Sequence, residues 1–219
     1  MDHTDVSHQR WQDHWLFFSH FRKSPRTVGA IAPSSRRLAH AMVDGLDVTP
    51  ASRVVELGPG TGAITVEIAA KLPPSARCLA IDIDPVFTAR VAARWPGIEA
   101  ICDRAEHLVE IAHSRGLLPI DHIVSGLPFA SLPSASARAI VEAIVTSLRP
   151  GGTFTTFQYV HAFALPPAVA VRRTLAARMG SSPTRQLVVG NLPPALVVRW
   201  TKAVPAAAPD SVRPQRDLA

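Results

Sequence analysis

The residues with the clearest chemical content are Glu56-Leu57-Gly58-Pro59-Gly60-Thr61-Gly62 and, twenty positions past Gly62, Asp82. Glycines turn a backbone sharply and leave it bare, so that a ligand can lie against it. An acid at the end of the next strand has two oxygens with which to accept both hydroxyls of a ribose. This is nucleotide-binding chemistry, and it requires a strand before the turn and a helix after it. Gly58, Gly60 and Gly62 make G-x-G-x-G, which is not the dinucleotide fingerprint, and no Gly-Lys-Ser/Thr follows to form a phosphate loop.

The elements around the turn meet that requirement. Arg53 to Leu57 reads as a strand, and a helix with Ile64, Ile68, Ala69 and Leu72 on one face follows the turn. Cys78 to Asp82 is a second, wholly apolar and therefore buried strand, and Pro85 opens the next helix. Further strands are expected at Ile98 to Cys102, Ile120 to Ser125 and Thr153 to Tyr159. Helices are expected at Ser136 to Leu148, ended by Pro150-Gly151-Gly152, and at Pro167 to Met179, ended by Gly180. Gln186 to Val189 and Leu196 to Trp200 close the chain as an antiparallel pair around Asn191-Leu192-Pro193-Pro194. Alternating strands and helices predict an α/β fold, a parallel sheet covered on both faces with an antiparallel edge. No internal repeat is found.

Two helices precede this core. Gln9 to Lys23 carries Trp11, Trp15, Phe17, Phe18 and Phe21 on one broad face and is stopped by Ser24-Pro25. A loop over 25–33 leads to a second helix, capped by Ser34 or Ser35 and running to about Val43. The expected division is an N-terminal amphipathic helix and loop over 1–33, a catalytic domain over 34–202 and a disordered tail over 203–219.

Composition narrows the class. The 219 residues are 47% hydrophobic and 18% charged, enough apolar surface for a core and too little charge for wholesale disorder. Two cysteines exclude a disulfide scaffold and point to a reducing compartment. Nine histidines without ligand spacing predict no metal. The longest uncharged stretch, Pro150 to Val171, holds paired glycines and prolines and is a poor membrane span. The net charge of +6 is unevenly spread. Residues 14–43 hold five basic side chains and 143–209 hold seven, neither with an acid, while 44–142 are net −4. Basic ends around an acidic middle suit an anionic partner, a membrane surface or a nucleic acid.

The glycine turn with Glu56 before it and Asp82 after it resembles the first motif of class I methyltransferases that use S-adenosylmethionine. Three more segments lie in order with it: Gly29-Ala30-Ile31-Ala32-Pro33-Ser34-Ser35, Ser125-Gly126-Leu127-Pro128-Phe129, and Val189-Gly190-Asn191-Leu192-Pro193-Pro194-Ala195. Together they resemble the bacterial phospholipid N-methyltransferases, over about residues 11–202. The resemblance implies a sheet ordered 3-2-1-4-5-7-6. It implies S-adenosylmethionine held by Glu56, Gly58, Gly60, Gly62, Asp82, Asp103 and Ala105, with Ser125, Pro33 and Ser34 beside them. Asp84 is an alternative to Asp82. It further implies methylation of phosphatidylethanolamine, up to three times, toward phosphatidylcholine, with the N-terminal helix on the membrane.

Physical chemistry agrees with that expectation. Trp11, Trp15 and Phe18 with Arg22 and Lys23 at the helix end suit a lipid interface; packing of the same stripe on the domain is the other reading. The attacking amine must be neutral, and desolvation lowers its pKa from the value of about 10 of a free amine. Phe129, Tyr159 and His161 are the candidates to line the catalytic pocket, with Leu127 and Pro128 shaping it. Arg172 and Arg173 are candidates for the lipid phosphate. A peripheral enzyme on the cytoplasmic leaflet is expected, bound to anionic lipids, with no nucleic-acid partner. The nearest rival is an adenine N6-dimethyltransferase of ribosomal RNA, which carries Asn where this chain has Gly126. Rivals without that motif are enzymes for another aminolipid or a small soluble amine.

Overall fold

The structure is a computed structural model that describes residues 33–205, and side chains from Arg36 onward. Trp11, Trp15, Phe18, Arg22 and Lys23 lie outside the described residues, as does the tail beyond 205. The chain runs α1 (Pro33–Asp44), β1 (Arg53–Leu57), α2 (Thr65–Lys71), β2 (Arg77–Asp82), α3 (Pro85–Arg94) and β3 (Ile98–Cys102). It continues α4 (Leu108–Ser114), β4 (Ile120–Ser125), α5 (Ser134–Ser147), β5 (Leu148–Tyr159), α6 (Pro166–Met179), β6 (Thr184–Val188) and β7 (Ala195–Thr201). The seven strands lie in the order β3-β2-β1-β4-β5-β7-β6, as the motifs implied. β3 to β5 are parallel, and β7 runs antiparallel between β5 and β6.

Period-two alternation sorts the strand residues between two apolar layers. Val55, Leu57, Leu79, Ile81, Ile123, Phe154 and Trp200 face α4, α5 and α6. Val54, Cys78, Ala80, Val124 and Val197 face α1, α2 and α3. The first layer is anchored by Phe154 stacked on Trp200, with ring centroids 5.8 Å apart, and both residues are fully buried.

Three elements depart from the sequence reading. α4 was not expected; its seven residues turn only Leu108, Ile111 and Ala112 inward, too short a run for periodicity to reveal. Pro150-Gly151-Gly152 does not simply end the preceding helix but lies inside a strand. Ile120 pairs with Leu148 and His122 with Thr153, so β5 carries three more residues than β4 over that step. The bulge turns at Gly151, whose φ is +76°, and is tied across by two backbone bonds of 2.8 Å with Lys202. Finally, α5 and β6 begin two residues earlier than expected, at Ser134 and Thr184.

α1 is held at its end by distant side chains. Its last turn contains no basic residue. Arg199 of β7 instead donates to the Met42 carbonyl at 3.2 Å, and Lys71 of α2 donates to the carbonyls of Val43, at 3.2 Å, and Asp44. These cations satisfy the terminal acceptors of the helix and oppose its negative pole. α1 is thereby fixed over the carboxyl half of the sheet.

Candidate active site

The glycine turn is built by the two strands that flank it. Gly58 N–H donates to the Ile81 carbonyl at 2.9 Å, and Gly126 N–H to the Leu57 carbonyl at 2.8 Å, so the loops after β1 and β4 are pinned side by side. Gly58 has φ +71°, and a Cβ on it would come within 2.7 Å of Leu127. Gly62 has φ +86° and supports the ring of Trp95, 2.4 Å from where its own Cβ would stand. Gly126 is required by contact alone: a Cβ there would lie 2.7 Å from the Gly58 carbonyl oxygen. No side chain fits at 126 unless the turn moves.

Asp82 is buried beneath this turn. One carboxylate oxygen accepts the Gly60 N–H at 3.0 Å and the other the Asp84 N–H at 3.0 Å. Asp82 therefore holds the middle glycine in place as well as standing at the strand end. Asp84 does different work: its side chain accepts from Val86 N–H at 2.8 Å and caps α3. The choice between the two acids falls on Asp82.

Asp103 follows β3, with its N–H on the Asp82 carbonyl at 3.0 Å. Burial pushes its carboxyl pKa up. The Arg104 N–H, at 2.6 Å, the His107 ring, at 2.8 Å, and the charges of His107 and Arg104 outweigh that and hold it below the usual carboxylate range. Asp82, Asp103, Gly58 and Ala105 wall one cleft of about 380 Å³, whose apolar side is Ile81, Ile83, Leu127, Leu132 and Ile140. Acids on one wall and aliphatic side chains on the other fit a nucleoside: hydroxyls and an exocyclic amine to the carboxylates, the flat base to the apolar side. The sequence did not point to Ile83, Leu132, Ile140 or His107, because nothing local distinguishes them from core or surface.

The other cofactor candidates sit around the cleft. Glu56 is fully buried and faces the α1–α3 layer with Val54, near Cys78, whose thiol pKa is pushed up by burial and by that charge. Ser125 is also fully buried, and its hydroxyl accepts the Leu127 N–H at 3.2 Å, so its side chain shapes the β4 loop. Pro33 and Ser34 open α1, and their side chains lie outside the described set.

The catalytic candidates divide across the sheet. Tyr159, at the end of β5, stacks on the exposed His161 with centroids 5.7 Å apart and planes 9° apart, and meets Phe157 edge-on at 5.4 Å. Phe129 is not with them. It is buried in the opposite layer, edge-on to Phe154 at 6.1 Å. Arg172 and Arg173 also part company. Arg172 is tied to Gln158 Oε1 and to the Phe163 carbonyl at 2.7 Å, and its guanidinium lies 3.6 Å from the centre of the Phe163 ring; Arg173 is exposed. Arg185, which the sequence did not single out, lies 5.8 Å from the same ring. Among the described residues no three His, Cys, Asp or Glu side chains are grouped to hold a metal ion. Among them, too, no helix is long and apolar enough to cross a membrane.

Comparison with known proteins agrees with this geometry. Residues 54–152 match a methyltransferase domain. An ornithine lipid N-methyltransferase of Singulisphaera acidiphila is 33% identical over 146 residues, covering 65% of this chain and 76% of that enzyme. A dimethyladenosine transferase of Yarrowia lipolytica is 37% identical over only 60 residues, covering 27% of this chain and 18% of that enzyme. In fold, the chain is similar to the 1,6-didemethyltoxoflavin-N1-methyltransferase of Burkholderia thailandensis, with a TM-score of 0.61 at 19% identity, over 93% of this chain and 92% of that one. A relative matched at the Singulisphaera enzyme's identity over three quarters of its length decides the family: this chain is a class I S-adenosylmethionine-dependent methyltransferase and belongs with that enzyme.

Proposed function

We propose that the chain methylates the primary amine of a membrane aminolipid, with phosphatidylethanolamine the substrate its four motifs imply and the monomethyl and dimethyl forms following toward phosphatidylcholine. The observation that carries the reading is the likeness to a lipid N-methyltransferase over most of that enzyme's length. The same likeness favours a second head group, ornithine lipid. Both head groups present an amine beside an anion, so the same catalytic demands apply.

The cofactor supplies a methyl group made electrophilic by the sulfonium that bears it. The chain's own residues hold and orient. Asp82 and Asp103 bind the nucleoside end, and the glycine turn brings backbone close to the remainder. The amine must arrive in line and without its proton, and an apolar surround promotes both. Tyr159 and His161 offer an aromatic stack to the head group as its charge grows. The proposal places the enzyme peripherally at the inner membrane face, with residues 1–33 as the membrane segment, 34–202 as the catalytic domain and 203–219 as a tail.

Gly126 weighs against a nucleic-acid base as substrate. An Asn there would offer a carbonyl to a base amine. The contact with the Gly58 carbonyl leaves no room for it. The test is methyl transfer from labelled S-adenosylmethionine to vesicles of phosphatidylethanolamine or of ornithine lipid, followed by separation of the lipids. Label in the first supports the main reading, and label in the second alone moves the substrate to ornithine lipid. Cofactor binding with no label in either lipid overturns the reading.

A further inference from the structure

The β6–β7 connection is unusual in what it shows to solvent. Val189 is 70% exposed and Leu192 is 89% exposed, the largest value among the exposed apolar side chains of the described residues. Val160, Leu165 and Leu187 are also exposed and belong to the same edge. Val160 N–H donates to the Pro194 carbonyl at 3.0 Å, joining the turn after β5 to this loop, and Leu187 lies in the edge strand that leads into it. The loop is stapled from inside: Asn191 is buried, and its amide donates to the Pro193 carbonyl at 2.6 Å. Leu192 is thus presented on a tied support.

Cations surround this apolar tip. The Arg37 guanidinium lies against Gly190, 2.4 Å from where a Cβ would stand. Arg172 and Arg185 flank the Phe163 ring next to the β5 turn, close enough for the charge of Arg185 to weigh on Arg172. The elements that build the edge contain no acid: residues 143–209 have none, and neither does α1 before Asp44. Aliphatic side chains ringed by arginines complement an anionic lipid surface. The chain before Pro33 joins the domain four residues from Arg37, so the aromatic segment over 9–23 is attached at this edge.

We propose that this edge is a second membrane contact, in which Val189 and Leu192 enter the lipid interface while Arg37, Arg172 and Arg185 meet anionic head groups. It extends the aminolipid reading, and its tests separate the two. The full chain would be labelled with a polarity-sensitive fluorophore at position 192, by Leu192→Cys in a Cys102→Ser background. A blue shift on adding vesicles of phosphatidylglycerol and phosphatidylethanolamine, with quenching by brominated acyl chains, is the expected result. An unchanged spectrum on vesicles that the chain still binds overturns the proposal. So does a label that is already blue-shifted in buffer and loses that shift when residues 1–23 are deleted, since the N-terminal segment would then be what covers the edge.

A second variant guards against a label artefact. Val189→Asp with Leu192→Asp should weaken vesicle co-sedimentation on the order of tenfold while leaving the thermal midpoint and methyl transfer to detergent-dispersed lipid unchanged. Unchanged co-sedimentation overturns the surface. Insertion at position 192 without methyl transfer to any aminolipid would instead overturn the proposed function and leave the surface standing.

Discussion

At the scale of single residues, Asp82 and Asp84 are two positions apart and chemically alike, yet the structure gives them separate tasks. Asp82→Ala removes acceptors from two N–H groups and should cost on the order of 3 kcal/mol of stability. It should also abolish S-adenosylmethionine binding measured by calorimetry. Asp84→Ala removes a helix cap, should cost about 1 kcal/mol, and should leave cofactor affinity within a few-fold. Equal losses of affinity in both would show that the turn does not depend on Asp82 in particular. Gly126→Ala is the matching test of close approach. It should cost about 1–3 kcal/mol by overpacking and weaken cofactor binding, because the obstacle is the Gly58 carbonyl on the cofactor turn.

At the scale of elements, tertiary bonds do what local sequence does not. α1 has no cation of its own at its end and takes Arg199 and Lys71 instead. Arg199 also donates to Thr155 at 2.9 Å, so Arg199→Met strands two acceptors and should lower stability by about 1–2 kcal/mol in urea unfolding. β4 carries a pH-sensitive group, His122. Its Nε2 bonds the Asp47 carbonyl at 3.1 Å, so that nitrogen carries the proton, and Nδ1 accepts from Thr153 at 2.8 Å. Burial lowers the His122 pKa against the nearby acids that raise it. Below the ordinary histidine value the unfolded chain takes up a proton that the fold resists, so stability falls as pH drops from about 7 to about 5. His122→Gln should flatten that part of a thermal-midpoint profile. Asp103 and Asp121 act in a lower window: both carboxyls are held below their usual range, so their contribution is full above it and is lost as pH falls through their lowered values.

At the scale of the whole molecule, charge and fold divide the labour. The acidic middle of the sequence supplies the cofactor cleft through Asp82 and Asp103, and basic residues from both of its flanks gather at the edge holding Arg37, Arg172 and Arg185. Deleting residues 1–23 should weaken binding to anionic vesicles. The residual binding should fall further with added salt, since exposed arginines are screened. Unchanged co-sedimentation of that truncation would make the aromatic stripe a packing element rather than a membrane one.

Much of this was legible in the residues themselves. β1, β3 and β4 begin and end where period-two patterns and flanking turns place them, and the glycine turn lies between a strand and a helix as its chemistry requires. The sheet order followed from the resemblance carried by the motifs. α4 and the bulge in β5 were not legible, because seven residues show too little periodicity and a Pro-Gly-Gly stop reads the same inside a strand as after a helix.

The roles of individual side chains divide along the same line. Types and spacing determined by themselves that Asp82 and the glycines belong to one ligand, because that ligand's chemistry is local to a single strand–turn–helix unit. Only the tertiary structure decided that Asp82 also anchors Gly60, that Phe129 and Tyr159 face opposite layers, and that Gly126 must lack a side chain. These depend on which strands lie next to each other and which way each residue points. Such facts arise from contacts between segments dozens of residues apart, and no local pattern encodes them.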